Sequence, residues 1–172
     1  MGNPKPAMKV LFEAFCVMWN FKDGKQIKKI KDPDDQFKKI SDYFTACKTK
    51  IFNDPGKMLK ELATYDEEKI NNMDINIINR LKKMVETEEG MYKEFNFNTL
   101  DRISEPSGKL FKFIECILGV YQGLVEINPR REALAEAEAQ LAGAEKDLKN
   151  SEDNLKAVED KIAALKAQLQ EA

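Results

Sequence analysis

The stretch EALAEAEAQLAGAEKDLKNSEDNLKAVEDKIAALKAQLQEA, residues 132–172, decides the fold of the last quarter of the chain. A leucine or isoleucine recurs at every seventh residue through six consecutive heptads. We assign these residues to the a positions: Leu134, Leu141, Leu148, Leu155, Ile162 and Leu169. Such a sustained repeat predicts one strand of an α-helical coiled coil.

The d positions of the same repeat are less uniform. They are Ala137, Ala144, Ser151, Val158, Leu165 and Ala172. Small or polar residues occupy the first three, so the seam is predicted to pack weakly there. No second strand is recognisable in the sequence. The seam therefore pairs either with a strand outside the chain or with a second copy of it.

Charge is distributed unevenly along the 172 residues, although the net charge is only −2. Residues 1–60 carry 13 basic and 7 acidic side chains, residues 61–128 carry 8 and 13, and residues 129–172 carry 7 and 10. The first third is thus a basic segment on an acidic chain. This asymmetry suggests docking onto an acidic partner, whereas composition alone favours ordinary solvated lysines. The low net charge argues against nucleic acid.

Several classes of chemistry are excluded by residue content. The sequence has no histidine, which removes histidine-based catalysis and most zinc sites. It also lacks a complete phosphate loop, because Ile103 stands where Ser107-Gly108-Lys109 would need its first glycine. We therefore predict no enzyme activity, cofactor or metal. The longest apolar stretch, Phe113–Val125, is too short for a membrane span and contains Glu115, so no membrane partner is expected.

The remaining sequence predicts an all-helical domain. Helices are expected to begin at Pro6, at Ser41 or Asp42, at Pro55, after Asp74 and after Ser104. In the first helix we expect a buried stripe of Met8, Leu11, Phe12, Phe15 and Trp19, beside a polar stripe of Lys5, Lys9 and Glu13.

Residues 20–40, rich in lysine, are interpreted as a long basic loop without strands, and residues 87–97 as a second loop. We expect Cys16, Cys47 and Cys116 to be reduced and buried, and Gly119 and Gly123 to permit close helix packing.

Three features coincide at the ends of this domain. Prolines precede the first helix in NPKPAMKVLFEAFCVMW (residues 3–19), a proline lies in the last helix, and the coiled-coil strand leaves from that second point. With KMLKELATYDEEKI (57–70) and DRISEPSGKLFKFIECILGVYQGLVEINPRREAL (101–134), the chain from residue 3 onward resembles the microtubule-binding domain at the tip of the dynein heavy-chain stalk. The long basic loop resembles axonemal rather than cytoplasmic dyneins.

The resemblance implies a set of tubulin contacts. Lys9 matches the basic residue near the start of the first helix, and Arg80 matches one on a later helix, with Lys83 one turn on. Arg102 matches the arginine before the last helix, where Lys109 and Lys112 are plausible additional contacts. The family's acidic residue four positions before this arginine is replaced by Asn98.

The resemblance also implies an architecture: an all-α bundle (3–128) at the tip of an antiparallel coiled-coil stalk, with the second stalk strand (129–172) present in full. Its partners would be α/β-tubulin and a first stalk strand upstream of Asn3, in the cytoskeleton of a cilium or flagellum. The ATPase ring would lie elsewhere in the heavy chain. The alternative is a helical adaptor or scaffold that dimerises through its C-terminal coiled coil.

Overall fold

Helices account for most of the chain, which confirms the predicted all-α class. The computed structural model describes residues 4–172, so Asn3, where the predicted domain begins, lies outside the described residues. The elements are α1 (Pro6–Met18), β1 (Lys29–Lys31), β2 (Lys39–Ser41), α2 (Tyr43–Lys50), α3 (Pro55–Ala63), α4 (Glu67–Asn71), α5 (Ile75–Glu86), a 3-10 turn (Gly90–Glu94), α6 (Phe97–Ile103) and α7 (Glu105–Glu171).

The chain divides into two compact units. The first, which we call the head, ends at Leu124, and the second, which we call the coil strand, is Val125–Ala172. All buried residues of the described chain belong to the head, whereas every residue from Pro129 onward is exposed. Pro129 lies inside α7, as the sequence predicts for a helix that continues past it.

Helix α1 is the centre of the head. It begins at Pro6, whose fixed φ angle suits a first helical turn. Helices α2, α5 and α6 and the 3-10 turn all pack against it. Every residue from Val10 to Met18 is consequently buried. The predicted polar stripe is therefore wrong at Glu13, which lies in the interior, and the predicted apolar stripe is too narrow.

Aspartate side chains fix the starts of the short helices. The backbone N–H groups of Thr45, Lys57 and Asn76 donate to the carboxylates of Asp42, Asp54 and Asp74 at 3.0, 3.0 and 2.9 Å. These caps confirm the predicted starts of α2, α3 and α5, and each is worth about 1 kcal/mol. Helix α4 was not predicted from the sequence, although Asp66 caps it in the same way through the Lys69 N–H at 2.8 Å.

The predicted basic loop contains an antiparallel β-hairpin. Strand β1 pairs with β2 in the register Lys29–Ser41, Ile30–Ile40 and Lys31–Lys39. The expectation of no strands is wrong here because three-residue strands are too short to show a recognisable alternation. Asp32 closes the hairpin: its N–H donates to the Lys38 carbonyl at 2.8 Å, and its carboxylate accepts the Asp34 N–H at 3.0 Å.

Close helix packing occurs at Gly108 rather than at the predicted glycines. A Cβ atom on Gly108 would lie 3.0 Å from the Asp101 Cα and 2.8 Å from its Oδ1. A Cβ atom on Gly119 or Gly123 would meet nothing within 4 Å among the described residues, so the prediction for that pair is wrong. Cys116 is also exposed, contrary to expectation, whereas Cys16 and Cys47 are buried.

Candidate functional site

A polar cluster connects α1 to three other elements of the head. Arg80 on α5 donates through Nη2 to Glu13 Oε1 at 3.2 Å and to the Tyr43 hydroxyl at 3.1 Å. The Tyr92 hydroxyl of the 3-10 turn donates to Glu13 Oε2 at 3.3 Å. Glu13 therefore has a partner for each carboxylate oxygen, which explains how a charged side chain that is only 12% exposed is accommodated inside the head.

The cluster favours a charged Arg80 guanidinium and a neutral Tyr92 phenol. Burial opposes the charge of Arg80, but Tyr43 and Glu13 outweigh burial and raise the pKa of Arg80 further. Burial, together with the nearby Glu13 carboxylate, raises the pKa of Tyr92. The Arg80 side chain is still 49% exposed. Since a guanidinium has five N–H donors, Arg80 can bond to Glu13 and to an external carboxylate together.

Lys9 borders a groove next to this cluster. The groove has a volume of about 500 Å³. Its lining comprises Pro4, Lys9, Glu13, Ile30, Pro33, Ile40, Ser41, Asp42, Tyr43, Phe44, Thr45, Met91 and Tyr92. Lys9 and Arg80 thus both lie beside Glu13, although the two cations are 71 positions apart in the sequence. The groove lies between the hairpin, α1 and the beginning of α2.

Arg102 lines a second recess. This recess, of about 290 Å³, is lined by Lys5, Pro6, Glu94, Thr99, Arg102 and Ile103. The first turn of α1 and the last turn of α6 therefore share one surface that carries two basic residues. The C-terminal position of Arg102 on α6 is favourable for a cation because of the helix dipole. Asn98, one turn earlier, is exposed and carries no charge.

The two lysines at the beginning of α7 already have partners. Lys109 Nζ lies 2.8 Å from Glu105, and the hydrogen bond and charge of Glu105 raise the pKa of Lys109. Lys112 lies 3.1 Å from Glu115 and 4.7 Å from the centre of the Phe97 ring of α6. Both lysines are exposed, so these contacts are weak and solvent-screened. They reduce the net positive charge that either residue presents.

Lys83 is exposed on α5 and has no ion pair among residues 4–172. The structure does not bring it into either recess. Lys9 therefore lines the groove, Arg80 lines a further recess that also includes Tyr43 and Asp74, and Arg102 shares its recess with Lys5. Lys83 and Lys109 line none of the three. Lys112 is linked to α6 through Phe97.

Sequence reasoning missed the partners Tyr43 and Tyr92 and the role of Glu13. A signal was present for Glu13, since it is a lone charge within an apolar helix. The hairpin also contributes an unpredicted feature: the Phe37 side chain in the β1–β2 loop is fully exposed. Its backbone N–H donates to the Asp35 carboxylate at 3.0 Å, so the loop that carries it is internally bonded.

The described residues include no group of three or more histidine, cysteine, aspartate or glutamate side chains arranged to hold a metal ion. Among the same residues, none of the helices combines the length and apolar character that a membrane crossing requires. The predicted cations, the recesses that three of them line and the exposed Phe37 ring define the candidate site.

Sequence comparison relates the chain to one kind of known protein. No protein-family model matches the chain. Over 142 residues, or 82% of the chain, it is 27% identical to dynein axonemal heavy chain 1 of Homo sapiens and 26% identical to the same protein of Mus musculus and Rattus norvegicus. The matched region is about 3% of the length of these relatives. The similarity supports a relationship to a segment of a dynein heavy chain.

Proposed function

We propose that this chain is the microtubule-binding tip of a dynein motor heavy chain, together with the second strand of its stalk. The observation that carries the proposal is the position of the predicted cations. Lys9 lies on α1, and Arg80 and Arg102 lie on two helices that pack directly against α1. Similarity to axonemal dynein heavy chain 1 supports a dynein segment, and the head with its heptad strand suits the tip.

Electrostatics describes how such a tip would bind. The resemblance implies that the partner is α/β-tubulin, whose surface is acidic. Each exposed ion pair would contribute about 0.2–1 kcal/mol. Several such pairs would give binding that is fast, reversible and weakened by salt. The hairpin adds Lys29, Lys31 and Lys39 to the basic side chains of the head, and all three are exposed.

The coil strand would regulate the affinity of the head for the microtubule and would not itself contact the microtubule. In this proposal its seam pairs with the first stalk strand of the same heavy chain, and a change of register alters the position of α1 and with it the affinity for the microtubule. The head would carry no catalytic activity, because the ATPase would lie in another part of the heavy chain. The similarity to an axonemal heavy chain favours the cytoskeleton of a cilium or flagellum as the location.

Microtubule cosedimentation at low salt tests the binding proposal. We expect the chain to pellet with microtubules, and the variants Lys9→Glu and Arg102→Glu each to bind about three- to tenfold more weakly, as expected for the loss and reversal of an exposed pair. Lys156→Glu is the matched control, because it makes the same charge change at an exposed position of the coil strand outside the seam. Absence of binding at low salt, or equal losses in all three variants, would reject the proposal.

Register control requires a heavy-chain segment that contains both stalk strands. Disulfide crosslinks can lock the two strands in two registers that differ by part of a heptad. The proposal predicts different microtubule affinities in the two locked forms. Equal affinities would reject the control mechanism without rejecting tubulin binding.

The exposed seam supports one alternative. Leu148 and Leu155 are each 61% exposed and have no partner among the described residues, as expected for a helical adaptor that dimerises through the coil strand. Sedimentation equilibrium of a segment with both stalk strands separates the two functions. A monomer that binds microtubules favours the dynein tip, whereas a stable dimer without microtubule binding favours the adaptor.

A further inference from the structure

Two cysteine thiols meet in the interior of the head. Cys16 on α1 and Cys47 on α2 are 31 residues apart in the sequence, and their Sγ atoms lie 3.4 Å from each other. Their exposures are 1% and 0%. The Cys47 thiol also lies 3.0 Å from the Phe12 carbonyl, and the Cys16 thiol lies 3.8 Å from the Tyr43 carbonyl. The proposed tubulin contacts use neither thiol.

The positions of the Cys16 and Cys47 sulfur atoms are close to those required for a disulfide bond. Sulfur atoms in a disulfide are about 2.05 Å apart, so the pair must approach by roughly 1.4 Å. Helices α1 and α2 already pack directly on each other. Rotation of the two side chains with a small adjustment of α2 can supply this approach. Cys116 lies on the exposed surface of α7 and takes no part in the pair.

We propose that Cys16 and Cys47 form an oxidisable dithiol, a modification site that a small peroxide converts into a disulfide between α1 and α2. One thiol loses its proton to solvent, and its sulfur attacks an oxygen of hydrogen peroxide. The O–O bond breaks and the departing hydroxide is protonated to water. The second sulfur then attacks the sulfenic acid, so that an S–S bond forms, the S–O bond breaks and a second water leaves. Two electrons pass from the sulfurs to the peroxide.

The surroundings of the two thiols make this reaction slow. The hydrogen bond with Cys16, together with burial, raises the pKa of Cys47 and keeps it protonated at neutral pH. Reaction therefore requires the thiols to become accessible through local opening. Helix α2 is the element that can open, because it has eight residues and exposes Thr45, Thr49 and Lys50. The thiol pair stays reduced under mild conditions and oxidises only under sustained exposure to peroxide.

The disulfide would change the mobility of the head. It would close a loop that contains the whole hairpin and would fasten α2 to the central helix. A crosslink across this separation restricts the unfolded chain, so thermal stability should rise by about 5–10 °C. This inference does not depend on the proposed binding function, because it rests on the thiol geometry alone.

The test uses the full chain with Cys116→Ser, which removes crosslinking between molecules. After hydrogen peroxide treatment, unfolding and alkylation, intact mass should show loss of two hydrogens and no alkylated thiol, and peptide mapping should link Cys16 to Cys47. Dithiothreitol should restore two alkylation sites and reverse the rise in melting temperature. Oxidation should be faster at pH 9 than at pH 7, since thiolate is the nucleophile.

The unsubstituted chain provides the internal control, because its exposed Cys116 reports that peroxide has reacted. Two free thiols at Cys16 and Cys47 after sustained exposure to peroxide, with Cys116 fully oxidised, would overturn the proposal. Sulfinic or sulfonic acids at the pair, or crosslinks only between molecules, would overturn it equally.

Discussion

Helix α1 and the coil strand show two different ways in which a sequence specifies a helix. In α1 the side chains of Leu11 and Phe15 are at most 1% exposed, because other parts of the head surround the helix. In the coil strand Leu148 is 61% exposed, and no residue from Pro129 to Ala172 is buried. The buried residues Val10 to Met18 of α1 have their packing partners within the head. The apolar seam of the coil strand is regular and has no described partner.

The largest expected effect tests this contrast with one substitution made twice, once in the head on α5, which packs against α1, and once in the coil strand. Leu81→Ala removes a fully buried side chain of α5 and should lower the free energy of unfolding of the head by about 2–5 kcal/mol. Leu148→Ala removes an exposed side chain and should change it by less than about 0.5 kcal/mol. Urea denaturation followed by circular dichroism and by Trp19 fluorescence measures both.

The same pair of variants examines the adaptor alternative. If two copies of the chain pair through the seam, Leu148 becomes buried, and Leu148→Ala should then cost more than about 2 kcal/mol with a melting temperature that depends on protein concentration. A concentration-independent and nearly neutral effect supports an unpaired seam. A large effect would contradict the contrast between the two regions.

The intermediate effect concerns two glycines within α7. Gly108→Ala would place a Cβ against the Asp101 backbone, so we expect destabilisation of the head by about 1–3 kcal/mol. Gly143→Ala in the coil strand meets nothing within 4 Å and should stabilise the local helix by about 1 kcal/mol, because alanine is the better helix former. Thermal melts at 222 nm and Trp19 fluorescence separate the two effects. Changes of the same sign would show that the glycines have equivalent surroundings.

Local chemistry explains which parts of the fold were predictable. The starts of α1, α2, α3 and α5 depend on a proline or an aspartate within a few residues of the helix, and the sequence predicts them. The heptad helix is equally local. The hairpin escaped prediction because its strands have only three residues each.

The candidate site depends on distant contacts and was only partly predictable. Glu13 is separated from Arg80 by 67 positions and from Tyr92 by 79. No short stretch of sequence therefore contains all the residues that bond to the Glu13 carboxylate. Lys9, Arg80 and Arg102 were identified by resemblance, and their contact with tubulin stays a prediction. The structure adds the immediate environment of these side chains. Arg80, for example, is already bonded to Glu13 and Tyr43.

The smallest expected effect lies in the polar cluster and concerns Tyr92. Tyr92→Phe removes the hydroxyl that donates to Glu13 and should cost about 0.5–1.5 kcal/mol at neutral pH. Burial and the Glu13 charge raise the folded-state pKa of Tyr92 from its usual value of 10.0, so the folded head holds this proton more tightly than the unfolded chain. The stability that results is present below pH 10 and is lost as the pH rises through the raised pKa.

Stability of the head should therefore fall more steeply above pH 10 in the unsubstituted chain than in Tyr92→Phe. Burial, with Glu61, also raises the pKa of Tyr65. Tyr65→Phe should therefore also reduce the loss of stability above pH 10, and the stability of the double variant should depend on pH less than that of either single variant. All four tyrosines of the chain belong to the head, so tyrosinate absorbance near 295 nm reports on the head alone. Equal alkaline slopes in the unsubstituted chain and Tyr92→Phe would contradict the Glu13–Tyr92 contact, and with it the enclosure of Glu13 on the buried part of α1.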